Sequence, residues 1–326
     1  MHEPLTVGKI YKDNRQKFKL KRHNNSIGYE HVVTSSKLNR PGLELAGFWK
    51  YFDKSRIQII GKKENMYLRT LPEEERRKII TKLCSSGTPA IIFAHGAKPS
   101  DVFLEVAREN NIALFSSSML TSNLIGQMMD YLDWNLAPST IVHGSLVDVY
   151  GVGLLLTGRS GIGKSEVALD LVERGHRLVA DDIVKIIRRA DNVIIGTSNE
   201  FLEHHMEVRG LGIVDVRQMF GIQAIRQQKR VEVQVELVEW DDDANYERIG
   251  AKVNYVKILE VNTPLVNLPI YPGKNITVIA EVIAMNHLLK FMGKNIAKDF
   301  EKKLAAKIRK KSRIAVLEQY LKKDFE

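Results

Sequence analysis

The run Gly158-Arg159-Ser160-Gly161-Ile162-Gly163-Lys164-Ser165 constrains this chain more than any other stretch. A glycine, four residues and then Gly-Lys-Ser is the spacing of a phosphate-binding loop set between a strand and a helix. Residues 152–156 read as the buried strand entering the loop, and residues 166–174 as the helix leaving it, closed by Gly175. The glycines let the backbone aim its N–H groups at phosphate oxygens, at the positive end of that helix. Lys164 would add a point charge on the β- and γ-phosphates, and Ser165 a hydroxyl on Mg²⁺. The expectation is an α/β protein that binds a nucleoside polyphosphate.

At 326 residues the chain exceeds one small domain. Periodicity breaks at Trp134-Asn135-Leu136-Ala137-Pro138-Ser139, which predicts domains over residues 1–133 and 134–326. No uninterrupted apolar run approaches the roughly 18 residues of a membrane span, so no membrane association is expected. The N-terminus lacks a basic segment followed by an apolar one, which makes the cytoplasm the default location. The single cysteine, Cys84, reads as a packed small hydrophobe. A net charge of +10 favours an acidic partner. Its basic clusters, near residues 11–22 and 301–313, read as solvated helix faces without the interleaved aromatics of a single-strand platform, and no nucleic acid partner is expected.

Before the break, residues 56–60, 90–94 and 112–115 read as strands and 101–109 as a helix capped by Ser100. After it, residues 141–150 and 152–156 should pair as a hairpin about Gly151, with strands at 231–237 and 253–261. Residues 275–291 form a long apolar helix with Val278, Val282, Met285 and Leu289 on one face.

Acids and bases near the loop decide where a phosphoryl group goes. Asp181-Asp182 follows a short strand-like run, so that one carboxylate would help hold Mg²⁺ and the other accept a proton, unless the pair is a solvated turn. Glu207, in a Glu-x-Arg beside Gly210 and Gly212, reads as a second Mg²⁺ ligand or as an ordinary ion pair with Arg209. His204 and His205 diverge too much to argue for metal. Arg248 and Lys274 are cations suited to transferring phosphate, but spacing alone makes them weak signals.

Taken together, these residues resemble the HPr kinase/phosphorylase family. The match rests on Val142-His143-Gly144, on Val147 to Gly151, on the loop, on Glu173 to Asp182 and on Glu207-Val208-Arg209-Gly210-Leu211-Gly212-Ile213-Val214-Asp215, with Asn39 to Gly47 as a looser entry segment. The resemblance implies an N-terminal α/β domain without kinase chemistry and a C-terminal P-loop kinase domain similar to the phosphoenolpyruvate carboxykinase core. It implies a cytoplasmic homohexamer that phosphorylates a serine of the phosphocarrier HPr with ATP or pyrophosphate. The same enzyme would remove the phosphate by phosphorolysis, releasing pyrophosphate, in the control of carbon metabolism and the phosphotransferase system. By motif, His143, Lys164, Asp182 and Arg248 would be catalytic, with Asp182 as both base and acid. Ser165 and Glu207 would bind Mg²⁺, residues Gly158 to Ser165 the donor, and Pro269, Ile270, Tyr271, Pro272, Gly273 and Lys274 would serve dephosphorylation. Arg159 stands where the family commonly has Asp, so the balance of the two activities is expected to depend on it. A small-molecule kinase, or a nucleotide-gated regulator without phosphoryl transfer, is the alternative.

Overall fold

The computed structural model describes residues 4–85, 87–189, 192–198, 203–241, 253–271, 273–300, 302–303 and 305–308. The chain divides into two compact units, Met1–Ala137 and Pro138–Glu326.

In the first unit α1 (Val7–Asn14), β1 (Leu20–Arg22), α2 (Gly42–Leu45), β2 (Gln58–Ile60), α3 (Lys62–Thr70), α4 (Glu73–Leu83), β3 (Ala90–Phe93), α5 (Asp101–Glu109), β4 (Ala113–Ser117) and α6 (Thr121–Asn135) follow in order. The sheet order is β1-β4-β3-β2, with β2, β3 and β4 parallel and β1 antiparallel on the edge. Helices cover both faces, and so these strands read as unbroken apolar runs. Ala90 and Ile92 pack with α1 and α6, while Ile91 and Phe93 pack with α4 and α5, the two-residue period of a strand. Ser100 caps α5, accepting the Phe103 N–H at 3.4 Å. Cys84 is fully buried at the end of α4, and burial pushes its thiol up to about 12.

The second unit opens with β5 (Ser139–His143), β6 (Ser145–Val149), β7 (Val152–Gly158), α7 (Lys164–Glu173), β8 (Arg177–Ala180), β9 (Ile183–Arg189) and β10 (Val193–Thr197). It continues with β11 (His205–Val208), β12 (Gly212–Asp215), α8 (Val216–Phe220), β13 (Gln228–Arg230), β14 (Val233–Glu239), β15 (Asn254–Ile258), β16 (Val261–Ile270) and α9 (Ile276–Phe291). A six-stranded sheet, β15-β16-β14-β7-β6-β8, is parallel through β16, β14 and β7. On one face Leu154 and Leu156 of β7 pack against α7 and α9. On the other face Leu155 packs against the antiparallel sheet β13-β10-β9-β5.

Three expectations are corrected by the structure. Residues 141–150 do not form one strand: the chain breaks at Gly144, β5 joins β9 in the four-stranded sheet, and only β6 pairs with β7. A Cβ at Gly144 would strike the Leu156 carbonyl, so this crossing of sheets requires glycine. The strand expected over 253–261 turns at Leu259 and Glu260, and a second strand, β16, runs on to Ile270 despite Pro264 and Pro269. The expected face of α9 is the exposed one. Val278, Val282 and Met285 face solvent, whereas Ala280 and Ala284 are fully buried, because small residues let the helix lie close to the sheet.

Candidate active site

The loop connects β7 to α7, and Gly158, Gly161 and Gly163 all have φ in the left-handed region, at +139°, +80° and +102°. Gly161 has a second reason to lack a side chain, since a Cβ there would run into the Arg209 guanidinium. Gly175 ends α7 in a double cap: its N–H donates to the Val172 carbonyl at 2.9 Å and the His176 N–H to Leu171 at 3.0 Å. Lys164 lies back over the loop, its Nζ donating to the carbonyls of Gly158 and Arg159 at 3.2 and 3.0 Å. Arg159 pairs with Glu239 at the end of β14.

Beside the loop, β8 delivers Asp181 and Asp182 to opposite environments. Asp181 is buried and its Oδ1 accepts two hydroxyls, from Ser145 at 2.5 Å and Ser165 at 3.1 Å. Its Oδ2 is buried without a hydrogen-bond partner among the described residues. Burial raises this carboxyl above the ordinary range; the two serine hydroxyls, and more weakly the N–H groups of Asp182 and Glu207, oppose the rise. Asp182 is exposed, with φ +62°. Its carbonyl accepts the Gly144 N–H at 3.1 Å, and His143 pairs across the ladder with Ile183, which brings His143 next to Asp182.

Glu207 projects from the hairpin β11–β12, on the face opposite buried Met206, and lies across from Ile213. The Ser165 hydroxyl and the Glu207 N–H both reach the Asp181 carboxylate, so that α7 and β11 meet at the end of β8. No group of three or more His, Cys, Asp or Glu side chains among the described residues would hold a metal unaided. Mg²⁺ takes one or two carboxylates and completes its shell with phosphate oxygens and water, so an orphaned buried carboxylate oxygen next to a serine hydroxyl fits it. Arg248 lies outside the described residues, as does Pro272. The rest of the 269–274 segment ends β16, where the Lys274 Nζ donates to the Pro269 carbonyl at 3.0 Å and lies 5.1 Å from the Tyr271 ring centre. Sequence reasoning missed Ser145 and Glu239, which reach the loop region from strands with no local signature, and Trp240, 5.0 Å from Tyr271.

The comparisons with known proteins decide the family. Models described as "HPr Serine kinase N terminus" and "HPr Serine kinase C-terminal domain" match residues 5–132 and 134–304. The chain belongs to the HPr kinase/phosphorylase family. It is 44% identical to an HPr kinase/phosphorylase of Chloroherpeton thalassium, over 99% of this chain and 96% of that one. An HPr kinase/phosphorylase of Bacillus licheniformis is 43% identical over 90% of this chain and 95% of its own. The solved structure of the HPr(Ser) kinase/phosphatase from Coxiella burnetii shares 32% identity over 47% of this chain and 93% of that one, with a TM-score of 0.45.

Proposed function

We propose that this enzyme of the HPr kinase/phosphorylase family phosphorylates a serine of HPr, or of an HPr-like carrier, with ATP or pyrophosphate, and reverses the reaction with inorganic phosphate. The observation that carries the reading is the hydrogen bond from Ser165 of the phosphate loop to Asp181, which sets the exposed Asp182 and its neighbour His143 beside the loop. All of this chemistry falls within residues 134–326, whose core we take to be related to phosphoenolpyruvate carboxykinase. The N-terminal domain, residues 1–133, takes no part in it.

Loop N–H groups and Lys164 hold the polyphosphate, with Ser160 and Ile162 contributing backbone to the cradle. Ser165, Glu207 and Asp181 hold Mg²⁺, which when bound supplies charge neutralisation at the transferring phosphate. In the forward direction the serine oxygen attacks phosphorus, the bond to the departing ADP or phosphate breaks, and Asp182 takes the hydroxyl proton. In reverse a phosphate oxygen attacks phosphoserine, the bond to the serine oxygen breaks, Asp182 returns the proton, and pyrophosphate leaves. His143 assists beside Asp182, Arg248 neutralises transition-state charge, and residues 269–274 serve the reverse direction. The working assembly is a cytoplasmic homohexamer.

The test is to incubate the chain with Mg²⁺, an HPr-type carrier and ATP or pyrophosphate, follow phosphoserine by mass spectrometry, then add excess phosphate. Phosphoserine should appear and then vanish with release of pyrophosphate. With Asp182→Asn phosphorylation should fall by about 10²–10⁴ while nucleotide still binds. A loss under about tenfold would show that Asp182 does not carry the proton.

A further inference from the structure

Residues 11–22 carry six lysines and arginines against one acid, Asp13, and the chemistry of the phosphate loop makes no use of them. Where a solvated helix face is expected, the structure opens a cavity of about 670 Å³ whose lining includes Gly8, Tyr11, Lys12, Arg15 and Tyr29. That volume falls within the roughly 300–1,000 Å³ of small-molecule sites. Gly8, Tyr11, Lys12 and Arg15 form one stripe of α1 and its last turn, at the spacing of a single helix face. Gly8 brings up the facing wall: its N–H donates to the Tyr29 carbonyl at 2.9 Å, and a Cβ there would stand 3.2 Å from the Tyr29 side chain.

The two rings are fixed from behind. Tyr11 stacks on buried Phe115 of β4 at 5.3 Å and 17°, and Tyr29 stands 5.7 Å from Tyr11 at 47°, both still partly exposed. The charge around them is one-sided. Asp13 is engaged, accepting the Tyr131 hydroxyl of α6 at 2.8 Å, whereas no ion pair joins Lys12 or Arg15 to an acid among the described residues. The Arg22 guanidinium lies beside the Tyr29 hydroxyl. Flat apolar faces next to uncompensated cations suit a ring that carries negative charge. We propose that this cavity binds a small organic anion built on a flat ring, with the ring against Tyr11 and Tyr29 and its phosphate or carboxylate on Lys12 and Arg15. The site lies wholly in the first unit and does not depend on the loop binding polyphosphate.

Pyridoxal phosphate, a flat ring bearing a phosphate and an aldehyde, is the probe, used on the full chain. Its aldehyde condenses with the Lys12 amine, losing water to give an imine; borohydride then adds hydride to the imine carbon and solvent protonates the nitrogen, leaving a stable secondary amine. Peptide mass spectrometry reads which lysine is modified. Lys12 should be labelled saturably and ahead of Lys17 and Lys19 on the same stretch. Phenyl phosphate or benzoate should protect it at concentrations about fivefold or more below those of inorganic phosphate or acetate, the worth of one ring contact, and the better of the two identifies the anion. Arg15→Glu, at an exposed position, should raise the half-saturating concentration by about 10- to 150-fold. Tyr11→Leu, which keeps an apolar side chain on Phe115, should raise it by about fivefold or more. Labelling of Lys12 no faster than of Lys17 and Lys19, protection by the ring compounds no better than by phosphate and acetate, or indifference to Arg15→Glu would each overturn the assignment and return this stretch to a solvated face.

Discussion

Asp181 shows how a single residue holds stability and chemistry in opposition. Its carboxyl is raised by burial, so the folded state binds a proton more tightly than the unfolded state does. Between the unfolded and folded values stability must therefore fall as pH rises, and above the folded value the full penalty of a buried charge remains. Asp181→Asn keeps an oxygen for the Ser145 and Ser165 hydroxyls and removes that charge. It should raise Tm at pH 8 and do so less at pH 4, while phosphoryl transfer collapses if the lost oxygen belongs to Mg²⁺. An equal shift at both pH values would show that ionisation at this site carries no cost. Arg159 sets a second residue-scale test. Its partner Glu239 is acidic, so Arg159→Asp places two like charges where an ion pair now stands, and Glu239→Arg in the same chain should restore the pair. Both side chains are largely exposed and such pairs are worth about 0.2–1 kcal/mol, so the single change should shift the ratio of phosphorylation to phosphorolysis by a few-fold and the double change should bring it back. Additive effects in the double-mutant cycle would show that the two residues act independently.

At the scale of elements, α9 is held by its packing on the sheet and by one buried acid. Glu281 accepts from His176 at 3.1 Å and Arg174 at 3.4 Å, and the Tyr150 ring packs edge-on against His176 at 4.6 Å. This ties the helix to the end of α7 and to the β6–β7 turn. Glu281→Ala would leave the buried His176 without that acceptor, costing about 1–3 kcal/mol, or roughly 2–12 °C in the melting of a unit this size. Glu281→Gln should recover a large part, which differential scanning calorimetry would resolve. No periodicity argument could have chosen this face. The helix is apolar nearly all round, so the pattern that usually marks the core side is absent, and the choice falls to Ala280, Ala284 and a charged residue that a sequence reading assigns to solvent. β16 was hidden for a related reason: its prolines and asparagines read as loop, while its pairing with β14 and β15 depends on residues far along the chain. The phosphate loop was legible because strand, glycines, Lys164, Ser165 and helix are contiguous. Asp181 and Glu207 were legible as motifs, but the burial that separates Asp181 from Asp182 is set by Ser145 and the sheet above it.

For the whole molecule, the two units carry separate hydrophobic interiors. Among the described residues, those of the first unit, one on each side of its parallel sheet, draw only on residues before Ala137, and those of the second draw only on residues after it. A unit that buries its own core on both faces of its own sheet has what independent folding requires. Residues 1–137 and 138–326, expressed apart, should each unfold cooperatively by calorimetry. Pyrophosphate with Mg²⁺ should raise the melting temperature of the second by the amount its binding constant dictates and leave the first unmoved, since the loop, both aspartates and Glu207 all lie beyond Pro138. A second unit that melts without a cooperative transition, or that binds pyrophosphate only when the first is added back, would mean that the site needs the N-terminal unit to hold its shape.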